Sequence, residues 1–196
     1  MPEIAVSRQD IFPTTIWSFD LAYLQPYFPL WLDVIRQLRA AQPQPAGRTI
    51  RRGWNSDTTL LQQPAFEPLH VAAQTVFGQV LQEMQLPGAI RFRVEGWVNL
   101  HEEGGFNMQH MHPNRLLSAA FYIQVPEGSN PVLFHDPRPA VKLGQVAGRG
   151  FNGGGLTAAQ PALGQMLVFP NWLEHHVEPH PVSAPRISIG MNAVAA

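Results

Sequence analysis

The segment Ile90-Arg91-Phe92-Arg93-Val94-Glu95-Gly96-Trp97-Val98-Asn99-Leu100-His101 alternates apolar and polar side chains with a period of two. On an extended chain Ile90, Phe92, Val94, Val98 and Leu100 point one way, and Arg91, Arg93, Glu95, Trp97, Asn99 and His101 the other. That is the pattern of a strand with one face on a core and one face turned to something polar. The alternation returns twice. Leu117, Ala119, Phe121, Ile123 and Val125 oppose Ser118, Tyr122 and Gln124; Ile187, Ile189, Met191 and Ala193 oppose Arg186, Ser188, Gly190 and Asn192. A short apolar run, Met166 to Phe169, stops at Pro170.

Ahead of Gly88 the period is helical. One helix is expected over Leu30 to Ala41, after Pro26 and Pro29, with Leu30, Val34 and Leu38 at i, i+4 and i+8 and a stop before Pro43 and Pro45. A second begins at Pro68, which suits a first helical position, and carries the stripe Val76, Val80, Leu81 and Met84 as far as Pro87-Gly88. Helices first and strands after, without βαβ alternation, predict a mainly β protein with N-terminal helices, its antiparallel sheets closed into a sandwich or jelly roll. We read residues 1–196 as one domain, 1–88 supplying helical support and first strands and 89–196 the jelly-roll core. The Gly-, Ala- and Gln-rich stretch Val146 to Gly164 reads as a loop.

Composition bounds the function. At 196 residues the chain can bury roughly 70% of the surface its unfolded form exposes. With 45% hydrophobic and 14% charged residues it is neither disordered nor a coiled coil. Thirteen basic against 14 acidic side chains leave a net charge of −1, so nothing points to a nucleic-acid partner. No cysteine is present, which excludes a thiol nucleophile, an Fe–S cluster or Cys-ligated zinc and leaves any metal to His, Asp or Glu. Glu3, Arg8 and Asp10 have no apolar run behind them, and no stretch approaches the roughly 20 apolar residues that cross a bilayer, so a cytoplasmic protein is expected.

The histidines are clustered. His110 and His112 form an H-x-H pair after Gly104-Gly105, and His175 and His176 follow Phe169-Pro170-Asn171-Trp172. On an extended strand i and i+2 share a face, so both imidazoles of the pair can reach one metal, with a third ligand from a distant strand. Three protein ligands would leave open positions, as a catalytic metal needs. Taken alone, H-x-H is equally a surface pair on a strand or turn. Arg186 and Ser188 share one face of the last strand. If that face is interior, the guanidinium needs a partner; a bound small carboxylate would serve, with the Ser188 hydroxyl adding a hydrogen bond. The alternatives are a distant Asp or Glu, or solvent. His70 is expected to pack or face solvent on its helix, and His101, His135 and His180 to sit near strand ends or loops in surface roles or against a substrate. Trp97 and Asn99 either line a pocket or cap a strand edge. Arg138 either meets an acidic substrate or pairs with Asp136.

Together these residues resemble the Fe(II)/2-oxoglutarate-dependent oxygenase superfamily, and within it a branch with the pattern W-x-N, H-x-H-P, L-S-x-x-x-Y, D-P-R, F-P-x-W-L-x-H and R-x-S-x-x-x-N. The matching stretches begin at Trp97, His110, Leu117, Asp136, Phe169 and Arg186, and end at Asn192. Gly53-Trp54-Asn55-Ser56 and Phe12-Pro13 are similar to the branch as well. The resemblance implies a double-stranded β-helix holding one Fe(II) chelated by 2-oxoglutarate, and O2-dependent oxidation of a small-molecule or peptide substrate with release of succinate and CO2. It implies His110 and His175 as metal ligands and His175 rather than His176 as the distal one. It also implies Arg186 with Ser188 on the distal carboxylate of 2-oxoglutarate. Tyr122, on the Ser118 face of its strand, and Asn99 are further candidates for the co-substrate. The superfamily's usual H-x-D or H-x-E is H-x-H here, so His112 is either a third ligand or lies beside a vacant position, as in halogenases. Three imidazoles make the iron site one charge more positive than two imidazoles and a carboxylate. The other readings are a three-His cupin-type dioxygenase that uses no 2-oxoglutarate, and a non-catalytic jelly-roll binding module. Oligomeric state stays open, a homodimer included.

Overall fold

The computed structural model describes residues 5, 7–47, 49–86, 90–139, 141 and 155–196. In chain order it contains β1 (Trp17–Asp20), α1 (Phe28–Ala41), β2 (Ile50–Asn55), α2 (Glu67–Glu83), β3 (Phe92–His110) and β4 (Leu117–Gln124). There follow β5 (Val132–His135), β6 (Leu156–Ala159), β7 (Gln165–Pro170), β8 (His175–Val177) and β9 (Arg186–Ala195). The described strands form one antiparallel sheet in the order β1-β7-β4-β9-β3-β8-β5-β6, with β2 paired to β3.

Two hydrophobic clusters lie on opposite faces of this sheet and explain its curl. On one face Trp31 of α1, Phe66, and Phe77 of α2, all fully buried, pack with Val98, Phe121, Ile189 and Met191. Those four strand residues are members of the apolar rows read from the alternation. On the other face Tyr122 of β4 and Phe169 of β7 pack with Val132 and Phe134 of β5 and Val177 of β8. Strands from the two halves of the order, β7 and β4 on one side and β8 and β5 on the other, thus meet across the inner face, as closure into a roll requires. The helices cover the outer apolar face, which leaves the polar row of β9 pointing inward.

Both helices occupy their expected positions within about two residues, and Pro68 stands in the first turn of α2. Pro87-Gly88, expected to end α2, lie outside the described residues. The larger difference is β3. The strand does not end at His101 but runs 19 residues to His110. Glu102-Glu103-Gly104-Gly105 reads as a turn, yet the strand absorbs it. Gly104 takes φ +76 there, and at Gly105 a Cβ would stand 2.5 Å from the Arg52 carbonyl oxygen, so only glycine fits between the strands. His112 lies past the end of β3, so the H-x-H pair is not a strand pair. Strands β2 and β5 carry no clean alternation, and β1, though Trp17-Ser18-Phe19-Asp20 alternates, is only four residues long; all three escape the sequence reading, and β6 falls inside the stretch expected to be a loop. Residues 146–154 of that stretch lie outside the described residues.

Candidate active site

The register of the sheet lays the polar row of β9 against β3 and β4. Arg186 pairs with His101; Ser188 sits between Asn99 and Tyr122; Gly190 lies between Trp97 and Ala120; Asn192 lies between Glu95 and Ser118. A cavity of about 510 Å³ opens over these rows, its walls including Trp97, Asn99, His112, Tyr122, Arg186 and Asn192. Trp97 and Asn99 therefore line a pocket and cap no edge.

Three imidazoles converge on the same cavity. The ring nitrogens of His110, His112 and His175 offer one ligand atom each within 4.8 Å of one another. His110 closes β3 and pairs in register with His175, the first residue of β8, which brings their ring centroids to 4.3 Å. His112 is held from the backbone instead. Its N–H donates to the Asn171 carbonyl at 2.9 Å, and Asn171 Nδ2 donates back to its carbonyl at 3.2 Å. Its ring lies 5.6 Å from that of Trp97, which stands directly over Gly190. Nδ1–H of His110 donates to the Met108 carbonyl at 2.7 Å, and Nδ1–H of His175 to the Leu173 carbonyl at 2.9 Å. Each bond fixes the tautomer and leaves Nε2 with its lone pair free. Burial lowers the pKa of all three rings, to about 3 for His112 and His175, so at neutral pH they are uncharged and able to ligate.

Next to the imidazoles the cavity wall holds a guanidinium with no carboxylate on it. Arg186 is 2% exposed; its Nη1 donates to Nδ1 of His101 at 3.1 Å, and its Nε has no hydrogen-bond partner. The ring of Tyr122 lies 5.2 Å from the guanidinium carbon, and its buried hydroxyl stands beside the guanidinium with no acceptor for its own proton. Burial raises the Tyr122 pKa, so the hydroxyl keeps its proton, and burial works against the charged form of Arg186. Orphaned donors facing a cavity fit an anionic ligand that accepts from both. The donor set thus fits a metal ion beside a carboxylate co-substrate.

Other histidines lie elsewhere. His176 faces away from His175, and its Nδ1 meets Nε2 of His135 at 2.9 Å. His70 stands against Gln74 and Glu67 on α2. His180, expected near the surface, is buried with Nε2 bonded to the Ala184 carbonyl. Arg138 pairs with Asp136 through two bonds, Nε to Oδ1 at 3.0 Å and Nη2 to Oδ2 at 2.7 Å. His101, expected near a strand end, is 1% exposed inside β3. Its place on the Asn99 face was visible in the alternation; its burial was not, because β3 appeared to stop there. Glu95 also escaped notice. It is 8% exposed and accepts from Arg115 Nε at 2.6 Å and Asn192 Nδ2 at 3.0 Å, while Ser118 Oγ donates to Asn192 Oδ1 at 2.8 Å. The signal for Glu95 was its position on the Trp97 and Asn99 side of the strand.

Fold and site together define a mainly antiparallel roll whose inner cavity is lined by three clustered imidazoles and a buried arginine with no carboxylate on it. Residues 95–192, half of the chain, match the family model described as "Putative 2OG-Fe(II) oxygenase", and the chain belongs to that family. It is a 2-oxoglutarate- and Fe(II)-dependent oxygenase, which selects the first of the three readings above. No protein of curated function matches it by sequence. Solved structures share the fold. A prolyl-4-hydroxylase from Pseudomonas putida is 17% identical, with 93% of this chain and 94% of that one covered and a TM-score of 0.68. A prolyl hydroxylase from Trichoplax adhaerens, solved with a peptide fragment of hypoxia inducible factor, is 12% identical, with 91% and 83% covered and a TM-score of 0.63. HygX from Streptomyces hygroscopicus, solved with nickel, 2-oxoglutarate and hygromycin B, is 12% identical, with 92% and 83% covered and a TM-score of 0.60. These likenesses establish the double-stranded β-helix. No helix among the described residues is long and apolar enough to cross a membrane.

Proposed function

We propose that His110, His112 and His175 hold the Fe(II), that Arg186, Ser188, Tyr122 and Asn99 hold 2-oxoglutarate, and that the enzyme hydroxylates a C–H bond of a small molecule or peptide. The observation that carries this reading is the placement of three neutral imidazoles and a carboxylate-free buried guanidinium in one cavity wall. When bound, Fe(II) and 2-oxoglutarate supply the oxidising chemistry, two electrons for O2 coming from decarboxylation of the co-substrate to succinate and CO2 and two from the substrate C–H bond.

The chain's own contributions are binding, orientation and exclusion of water. Arg186 and the Tyr122 hydroxyl, both buried, donate to the distal carboxylate from a wall where water does not compete. The carbonyls of Met108 and Leu173 hold two imidazoles with Nε2 toward the metal. Trp97, fixed over Gly190, gives His112 a flat surface to lean on. The substrate class rests on analogy alone. The same fold accepts a peptide in the Trichoplax enzyme and hygromycin B in HygX, so peptide and small molecule are both carried forward.

The test is anaerobic addition of Fe(II) and 2-oxoglutarate, followed through the weak visible charge-transfer band of the chelate. The native chain should develop the band. His110→Ala, His112→Ala and His175→Ala should each lose it, and His176→Ala, whose ring meets His135, should keep it. Retention of native iron affinity by His112→Ala would remove His112 from the ligand set.

A further inference from the structure

A buried guanidinium ordinarily meets a carboxylate, because an isolated interior charge costs several kcal/mol. The side chain facing Arg186 is an imidazole. Arginine has donors only, so the 3.1 Å contact from Nη1 to His101 Nδ1 runs in one direction and requires Nδ1 to carry no proton. The proton of the neutral ring therefore sits on Nε2, which donates to Asn107 Oδ1 at 2.5 Å. That in turn orients the Asn107 amide, whose Nδ2 donates to Thr49 Oγ1 at 3.2 Å. One polarity runs through the four groups, from β9 across β3 to the residue before β2. His101 is 1% exposed, Arg186 2% and Asn107 8%, so water is not at hand to replace a lost partner. Burial and the charge of Arg186 hold His101 in its neutral form, with a pKa lowered to about 3.

The choice of an imidazole has a chemical consequence. A carboxylate at position 101 would neutralise Arg186 and compete with any anion arriving from the cavity. A neutral acceptor holds one nitrogen in place and leaves the positive charge, and the partnerless Nε, for the ligand. The brace also reaches the metal side. The Thr49 carbonyl accepts from Met108 N–H at 2.9 Å, and the Met108 carbonyl orients His110.

We infer that His101 is a positioning residue for the co-substrate: with Asn107 and Thr49 behind it, it fixes the Arg186 guanidinium in the orientation that grips the distal carboxylate of 2-oxoglutarate. The inference rests on the reading of Arg186 given above. Its test compares 2-oxoglutarate with pyruvate, which offers the same 2-oxo acid group without the distal carboxylate. Both are titrated anaerobically against the Fe(II)-loaded full chain. His101→Leu should weaken 2-oxoglutarate about tenfold and leave pyruvate unchanged. His101→Asn, whose Oδ1 can stand where Nδ1 stood, should recover to within about threefold of the native chain. No change in His101→Leu, or equal loss on both acids, overturns the inference. Should His101→Leu fail to fold, Thr49→Val carries the same comparison, with an expected selective loss of about threefold, and an unselective result overturns the inference equally. Arg186→Met should erase the preference for 2-oxoglutarate over pyruvate. If the preference survives that change, the reading of Arg186 itself is wrong, whatever His101 does.

Discussion

At the scale of single residues, the imidazoles of the site are kept uncharged by burial, and this has a measurable cost in acid. His101 has its pKa lowered from 6.5 to about 3 by burial first, then by the charge of Arg186, against a raising hydrogen bond to Asn107. Between those two values the unfolded chain binds a proton at this residue that the folded chain does not, so stability rises with pH across the window. The contribution is fully present above about 6.5 and is lost as pH falls toward 3. The urea midpoint of the metal-free protein should therefore drop steadily below pH 6.5, and His101→Asn, which cannot titrate, should flatten the curve by close to one proton. An unchanged slope in that variant would mean that His101 is accessible and protonates freely. The residues of the histidine cluster were legible in the sequence because His110, His112 and His175 sit in spaced motifs with few rivals in a cysteine-free chain. His101 was not legible as a buried residue. An imidazole flanked by Glu102-Glu103-Gly104-Gly105 looks like a strand end, and only the partner strands β2 and β8 show that the chain continues extended.

At the scale of elements, the decisive contact is between β3 and β9. Trp97 and Gly190 are opposite one another, and a Cβ at position 190 would lie 2.5 Å from Trp97 Cε2 and 2.6 Å from Cζ2. Those are atoms of one rigid ring system, so the half-buried indole has to move as a body toward the cavity it lines. Gly190→Ala should leave both strands paired, since the rows on either side are unaffected, but shift the ring that His112 leans against. The expected outcome is a folded protein with roughly tenfold weaker Fe(II) binding, the size of effect usual when a group behind a metal ligand is disturbed. Native affinity in Gly190→Ala, measured by competition with a metallochromic chelator, would show that Trp97 plays no part in holding His112. The strands β3, β4 and β9 could be read in advance because each has one face on the helices and one on the cavity. The shorter β2 and β5 owe their extended form to neighbours already in place, a tertiary cause that leaves little trace in their own residues, while the alternation of β1 spans only four residues.

At the scale of the whole molecule, the division of labour between the two faces of the sheet explains how so polar a site can exist in a chain with 45% hydrophobic residues. The outer face is sealed by α1 and α2, where Trp31 stacks on Phe66 and donates Nε1–H to the Ala65 carbonyl at 2.7 Å. The inner face can then hold His101, Arg186, Ser188 and Asn192, all buried, without being the main source of stability. Yet the cluster that faces the cavity draws on β3, the turn after it, and β8, while the guanidinium comes from β9. Ligands bound there tie together segments that separate on unfolding, so binding should appear as global stability. A metal at about 100 times its dissociation constant adds about 2.7 kcal/mol, and for a chain of this size each kcal/mol is worth roughly 2–4 °C, so the melting temperature should rise by roughly 5–10 °C. Chelator should reverse the shift, and His110→Ala should abolish it. 2-Oxoglutarate should add a second increment with metal present and a much smaller one without it, because the guanidinium grips only one of its two carboxylates and the 2-oxo acid end needs the metal. Equal increments from 2-oxoglutarate in metal-loaded and metal-free protein, read by calorimetry, would mean that the acid is bound by Arg186 alone and that the two halves of the proposed site act separately.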